Sequence, residues 1–119
     1  MRDHGVTAAA GQILAAGSPV AATDAVIEAL RTVYDPEIPV NIYDLGLVYD
    51  LTVAADGNVA IVMTVTSPGC PVAGSLPQQV ADTVAAVPGT GLVAVTLVWE
   101  PPWTMDNLSE DARLALGFF

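Results

Sequence analysis

The dipeptide Asp56-Gly57 constrains this chain most, because it separates two runs of strand-forming residues, Leu45 to Val53 and Val59 to Val65. Asp-Gly accepts the backbone of a tight reversal, and β-branched residues on both sides suit neighbouring strands. An antiparallel hairpin is therefore expected at the centre of the chain. A helical stripe follows through Val72, Leu76, Val80, Val84 and Val87, with Pro77 either kinking the helix or marking its start near Ser75. Pro88-Gly89 closes that helix, and Leu92 to Trp99 has the length and β-branched content of a third strand. A helix between the second and third strands implies a right-handed parallel crossover.

Upstream, Asp24 is a plausible N-cap, and Val26, Ile27, Leu30, Val33 and Tyr34 fall on one side of a helix that Asp35-Pro36 should stop. Residues 1–22 are rich in alanine, glycine and threonine without sustained periodicity, and are expected to form a flexible extension. Downstream, Glu100-Pro101-Pro102 cannot continue a central strand, since consecutive prolines remove backbone donors. A short helix can start at Ser109 and end before Gly117, with Leu114, Leu116, Phe118 and Phe119 covering an open face. The expected fold class is α+β: a small two-layer domain of residues 23–119, with helices packed on a three-stranded mixed sheet.

A chain of 119 residues that is 53% hydrophobic suits one core and leaves no room for a second independent domain. The net charge of −10, with three arginines and no lysine, argues against binding nucleic-acid backbones or acidic membranes. No run approaches the ~18 apolar residues of a membrane span. Asp3 and Gly11 interrupt the small residues near the N-terminus and no strongly basic segment precedes them, so a cytoplasmic location is expected.

The candidate chemistry lies in two loops. Thr66-Ser67-Pro68-Gly69-Cys70-Pro71 holds the only cysteine, between a strand and a helical pattern. A thiol at a helix N-terminus is favoured as thiolate, and so as a nucleophile or metal ligand. A buried, inert thiol fits the same position. In the second loop, Asp35 and Glu37 flank Pro36, where they can act as ligands or an acid–base pair, or simply as ordinary loop acids. Asp44 can serve a local hydrogen bond while Ile38, Ile42 and Leu45 anchor the loop. With His4 in the extension, a Cys–His catalytic pair is disfavoured. A P-loop and a paired-cysteine zinc site are disfavoured for want of lysine and further cysteines. One thiolate is also too few for an ordinary iron–sulfur site, although a homodimer would contribute Cys70 from both subunits. Trp99 and Trp103 frame the prolines as either a rigid docking edge or a plug at the end of the core.

Three motifs together, DPEIPVNIYDLGLVYD at Asp35 to Asp50, TSPGCP at Thr66 to Pro71 and WEPPW at Trp99 to Trp103, give the chain a resemblance over residues 24–119. It resembles the SufT-like branch of a family that includes PaaD-like proteins and the eukaryotic MIP-eighteen-type iron–sulfur assembly factors. The resemblance implies an accessory factor in iron–sulfur cluster maturation or transfer, an assembly or carrier factor more than a self-contained enzyme. It implies a functional surface of Asp35, Glu37, Asp44, Thr66 and Cys70. Cys70, with Asp35 and Glu37, would hold iron or a transient iron–sulfur cluster in a shared site, and Trp99 and Trp103 would meet partners. Those partners would be iron–sulfur assembly proteins and client apoproteins. The competing expectation is a non-catalytic adaptor, including a PaaD-like role in assembling an aromatic-ring monooxygenase complex.

Overall fold

The computed structural model describes residues 8–15, 17–35, 40–65, 76–100 and 103–116. Its elements run β1 (Ala8–Ala10), α1 (Thr23–Leu30), β2 (Val48–Val53), β3 (Val59–Met63), α2 (Leu76–Ala85), β4 (Val93–Leu97), a 3-10 turn (Met105–Asn107) and α3 (Glu110–Leu116). The α+β class is as expected, but the mixed sheet has four strands where three were expected, in the order β1-β4-β3-β2. The additional strand comes from the stretch read as a flexible extension. Ala8 to Ala10 pair antiparallel with Val95 to Val93, and the Gln78 side chain donates to the Ala9 carbonyl at 3.0 Å.

The central hairpin forms as the Asp-Gly signal predicts. The Gly57 N–H donates to the Ala54 carbonyl, the Ala54 N–H to the Asn58 carbonyl, and Gly57 takes φ +90°. This is a three-residue reversal in which the glycine supplies the left-handed position. Pairing runs from Val53↔Val59 to Val48↔Met63, with an irregularity between Val48 and Asp50 that leaves Tyr49 as the extra residue. Such a bulge shifts the alternation by one residue, so Val48 joins Leu51 and Val53 against the core. β4 pairs parallel with β3, from Val59↔Val93 to Met63↔Leu97.

One face of the sheet carries the core: Val59, Ile61, Met63, Val93 and Val95 pack with Val26 and Leu30 of α1 and Leu76, Val80 and Val84 of α2. Pro77 is the second residue of α2, within the first turn, where its missing N–H breaks no bond. Helix α1 departs from expectation at both ends. Its N-cap is Ala22, with Asp24 inside the first turn, where a carboxylate complements the helix dipole. It ends at Leu30, well before Asp35. The Thr32 hydroxyl donates to the Ala29 carbonyl at 2.6 Å, and the Thr32 and Val33 N–H groups make tight-turn bonds to Ala29 and Leu30. Val33 stays buried, but Tyr34 is turned out and 56% exposed.

At the C-terminal side, Ser109 starts α3 as predicted, its hydroxyl accepting the Ala112 N–H at 3.1 Å. The buried contacts there come from Leu108 and Ala112, whereas Leu114, expected to cover an open face, is 54% exposed. Phe118 and Phe119 lie outside the described residues.

Candidate functional site

The parallel pair β3–β4 ends where β2 begins. Beyond the regular ladder, the Thr64 N–H donates to the Leu47 carbonyl and the Val98 N–H to the Met63 carbonyl, both at 2.8 Å. The entry to β2 and the exits of β3 and β4 therefore lie side by side. The carboxyl ends of parallel strands are a common place for sites in α/β sheets, because connecting loops diverge there. Here β3 leads through buried Thr64 and Val65 toward the segment holding Thr66 and Cys70, both of which lie outside the described residues.

The acidic loop is zipped at its base. The Ile42 N–H donates to the Val33 carbonyl at 2.8 Å, the Asp35 N–H to the Val40 carbonyl at 3.3 Å, and Tyr34 and Asn41 form an isolated antiparallel bridge. This pairing holds Asp35 at 6% exposure. Glu37 and Ile38 lie outside the described residues. From Asn41 the chain makes a helical turn, with the Leu45 N–H donating to Asn41, that of Gly46 to Tyr43 and that of Leu47 to Ile42. Ile42, Leu45 and Leu47 are fully buried beneath it.

Asp44 is committed to this turn. Its Oδ2 accepts Asn41 Nδ2–H at 2.8 Å, while its N–H donates to Asn41 Oδ1 at 2.9 Å. Arg31 Nε stands 4.0 Å from Asp44 Oδ1, its guanidinium lies 5.2 Å from the Tyr43 ring centre, and its Nη1 pairs with Glu28 at 3.1 Å. The Arg31 contacts are largely solvated and contribute little stability, whereas the reciprocal Asn41–Asp44 pair is partly buried. Asn41→Ala is expected to lower stability by about 1–2 kcal/mol, measurable by urea denaturation, since it removes both hydrogen bonds between the Asn41 side chain and Asp44.

The C-terminal segment locks onto the same turn. Trp103 Nε1–H donates to the Leu45 carbonyl at 2.6 Å and the Ser109 N–H to the Asp44 carbonyl at 2.8 Å. Gly46, at φ +80°, leaves no room for a side chain: a Cβ there would lie 2.2 Å from the Asn107 carbonyl oxygen. The two indoles thus separate. Trp103 packs against the core, and Trp99 is 47% exposed.

Among the sequence candidates, Asp35, Asp44 and Trp103 belong to one substructure, and Trp99 follows β4 at the adjoining strand end. Asn41, Gly46 and Arg31 were missed. Asn41-x-x-Asp44 carries a recognisable local signal, since asparagine readily bonds the backbone of a following turn. Gly46 and Arg31 act through residues distant in sequence. Among the described residues no group of three or more histidines, cysteines or acids is placed to hold a metal ion.

A small α+β domain in which the β3 and β4 exits, the Asn41–Leu47 turn and the Trp103 side chain adjoin at one end of a mixed sheet defines the class. The family model described as iron-sulfur cluster assembly protein matches residues 23–97, and the chain belongs to that family. It is 50% identical over 93 residues to an Fe-S protein maturation auxiliary factor of Porphyromonas gingivalis, covering 78% of this chain and 89% of that one. It is 42% identical over 85 residues to the Fe-S protein maturation auxiliary factor SufT of Staphylococcus aureus, covering 71% of this chain and 97% of the relative. Its fold is similar to the crystal structure of a domain of unknown function from Bacillus anthracis, with a TM-score of 0.74 and 40% identity over 81% of this chain and 92% of that one. The SufT-like resemblance carried by the sequence motifs is thereby borne out.

Proposed function

We propose that this chain assists iron–sulfur cluster maturation by receiving iron or a cluster as transient cargo and passing it to client apoproteins, with Cys70 as the cargo ligand. The observation that supports this most is the convergence at one sheet end: the β3 exit toward Cys70, the turn bearing Asp44 and the segment bearing Trp99 and Trp103 adjoin through backbone hydrogen bonds. A rigid frame of this kind gives a transient ligand a fixed approach without requiring a permanent cage.

In this reading Cys70 supplies the thiolate, Asp35 and Glu37 attract or contact iron, and Asp44 shapes the loop that carries them. Thiolate is the soft ligand that iron–sulfur clusters require, and carboxylates suit iron in transit. A carboxylate beside a thiol opposes its ionisation, so backbone N–H groups and the Thr66 hydroxyl must offset it. One thiolate per chain calls for a second from a homodimer, an assembly partner or the client. Exposed Trp99 offers an amphipathic ring for such a partner. Among the described residues no helix is long and apolar enough to cross a membrane.

Anaerobic reconstitution with iron and sulfide, followed by metal and sulfide analysis, tests the ligand assignment. Bound iron is expected with the wild-type chain and its assembly partner, lost in Cys70→Ala and reduced in the Asp35→Ala/Glu37→Ala variant. Iron retained by folded Cys70→Ala would refute the thiol role. Partner binding lost with iron retained would favour the adaptor reading.

A further inference from the structure

A second surface adjoins the Asn41–Leu47 turn through Tyr43. A groove of about 300 Å³ is lined by Thr23 and Ile27 of α1, Tyr43, and the consecutive β2 residues Val48, Tyr49, Asp50 and Leu51. Successive strand residues point to opposite faces, so a groove that touches four in a row runs along the strand's edge and is floored by backbone. β2 is the end strand of the sheet, paired with β3 on one side only among the described residues. The Ala54 N–H donates to Asn58 across the hairpin, so by ladder alternation Thr52 and Asp50 direct their backbone groups to β3. Leu51 and Val53 therefore present theirs to the groove side.

The groove's charge selects its occupant. Asp50 lines it and is exposed, and Asp24 and Glu28 stand on the exposed surface of α1, whose Thr23 and Ile27 form the opposite wall. Arg31, whose guanidinium lies over the Tyr43 ring of the groove wall, is engaged by Glu28 and Asp44. With a net charge of −10, the whole molecule repels acidic segments and attracts basic ones. The unequal walls, a strand edge opposite a helix carrying one apolar and one hydroxyl side chain, fit a single extended strand with alternate side chains seated between them.

We propose that the α1–β2 groove is a strand-acceptor site, which takes an extended peptide segment of alternating basic and apolar residues as a fifth strand on β2. This goes beyond the cargo reading, since docking here needs neither Cys70 nor a cluster. It would hold a client near the site loop through Tyr43, which is shared by the groove and the turn.

The test uses the full chain, labelled with nitrogen-15, and a Lys-Val-Lys-Val-Lys-Val peptide as probe, with a Glu-Val counterpart as control. Amide shifts are expected at Leu51 and Val53 with the basic probe alone, and N-methylation of the probe's alternate residues should abolish them in one phase but not the other. Asp50→Lys should weaken binding about tenfold, the scale of one lost charge contact. Leu51→Pro, which removes a groove-facing donor and leaves the β3 ladder bonds in place, should abolish it while far-ultraviolet circular dichroism is retained. Should Leu51→Pro fail to fold, the N-methylated probes decide the matter with the unaltered protein. Equal binding of the Glu-Val peptide, shifts elsewhere only, or occupation of the groove by a second copy of the chain in sedimentation would overturn the proposal. Cys70→Ala should bind the peptide like wild type, which separates this outcome from any failure of the cargo role.

Discussion

Gly46→Ala is expected to lower stability by more than about 3 kcal/mol and the melting temperature by about 10 °C or more. Two effects add. Alanine at φ +80° occupies the left-handed region, at about 1–2 kcal/mol. Its Cβ would also meet the Asn107 carbonyl oxygen at 2.2 Å and carbon at 2.8 Å. Those are backbone atoms, with no rotamer to relieve the overlap, so the loop and the C-terminal segment must part. Gly17→Ala supplies the control. Gly17 has φ +84° with nothing within 4 Å of the added carbon, so it feels the dihedral effect alone. Calorimetry of both variants isolates the contact, and equal losses would show that the loop does not need its close approach to Asn107.

The two tryptophans should also part company. Trp103→Ala removes packing from the core and the 2.6 Å bond to the Leu45 carbonyl, and is expected to cost about 3–5 kcal/mol. Trp103→Phe keeps a ring but drops the donor, at about 1–2 kcal/mol. Trp99→Ala, at an exposed position, should change stability by less than about 0.5 kcal/mol. Its effect is expected in affinity for an assembly partner. Chemical denaturation of the three variants, paired with partner titration, gives opposite rankings in the two measurements if Trp103 is structural and Trp99 makes the contact.

The hairpin and α2 were legible because their signals are local. Asp56-Gly57 specifies its own reversal, and the spacing of Leu76, Val80 and Val84 exposes a single buried stripe. Strand β1 was not legible, since Ala8-Ala9-Ala10 has no strand preference of its own and becomes a strand by pairing with β4 and accepting Gln78. The end of α1 was misplaced because apolar periodicity continues to Tyr34, while the Thr32 hydroxyl and two tight-turn bonds end the helix first. Of the site, residue type pointed to Asp35, Asp44 and the tryptophans. What binds them together did not show, because Trp103 reaching Leu45 and Asn107 pressing on Gly46 are tertiary contacts.

The central claim is that Cys70 handles cargo on a frame built to present it. Anaerobic cluster transfer to an apo-ferredoxin, followed by the ferredoxin's visible circular dichroism, tests this most directly with wild type, Cys70→Ala and Asp35→Ala/Glu37→Ala at matched folding. The account predicts faster transfer with the wild-type chain, a rate reduced to the unassisted level in Cys70→Ala, and an intermediate rate in the carboxylate variant. Wild-type transfer rates in both folded variants would contradict it.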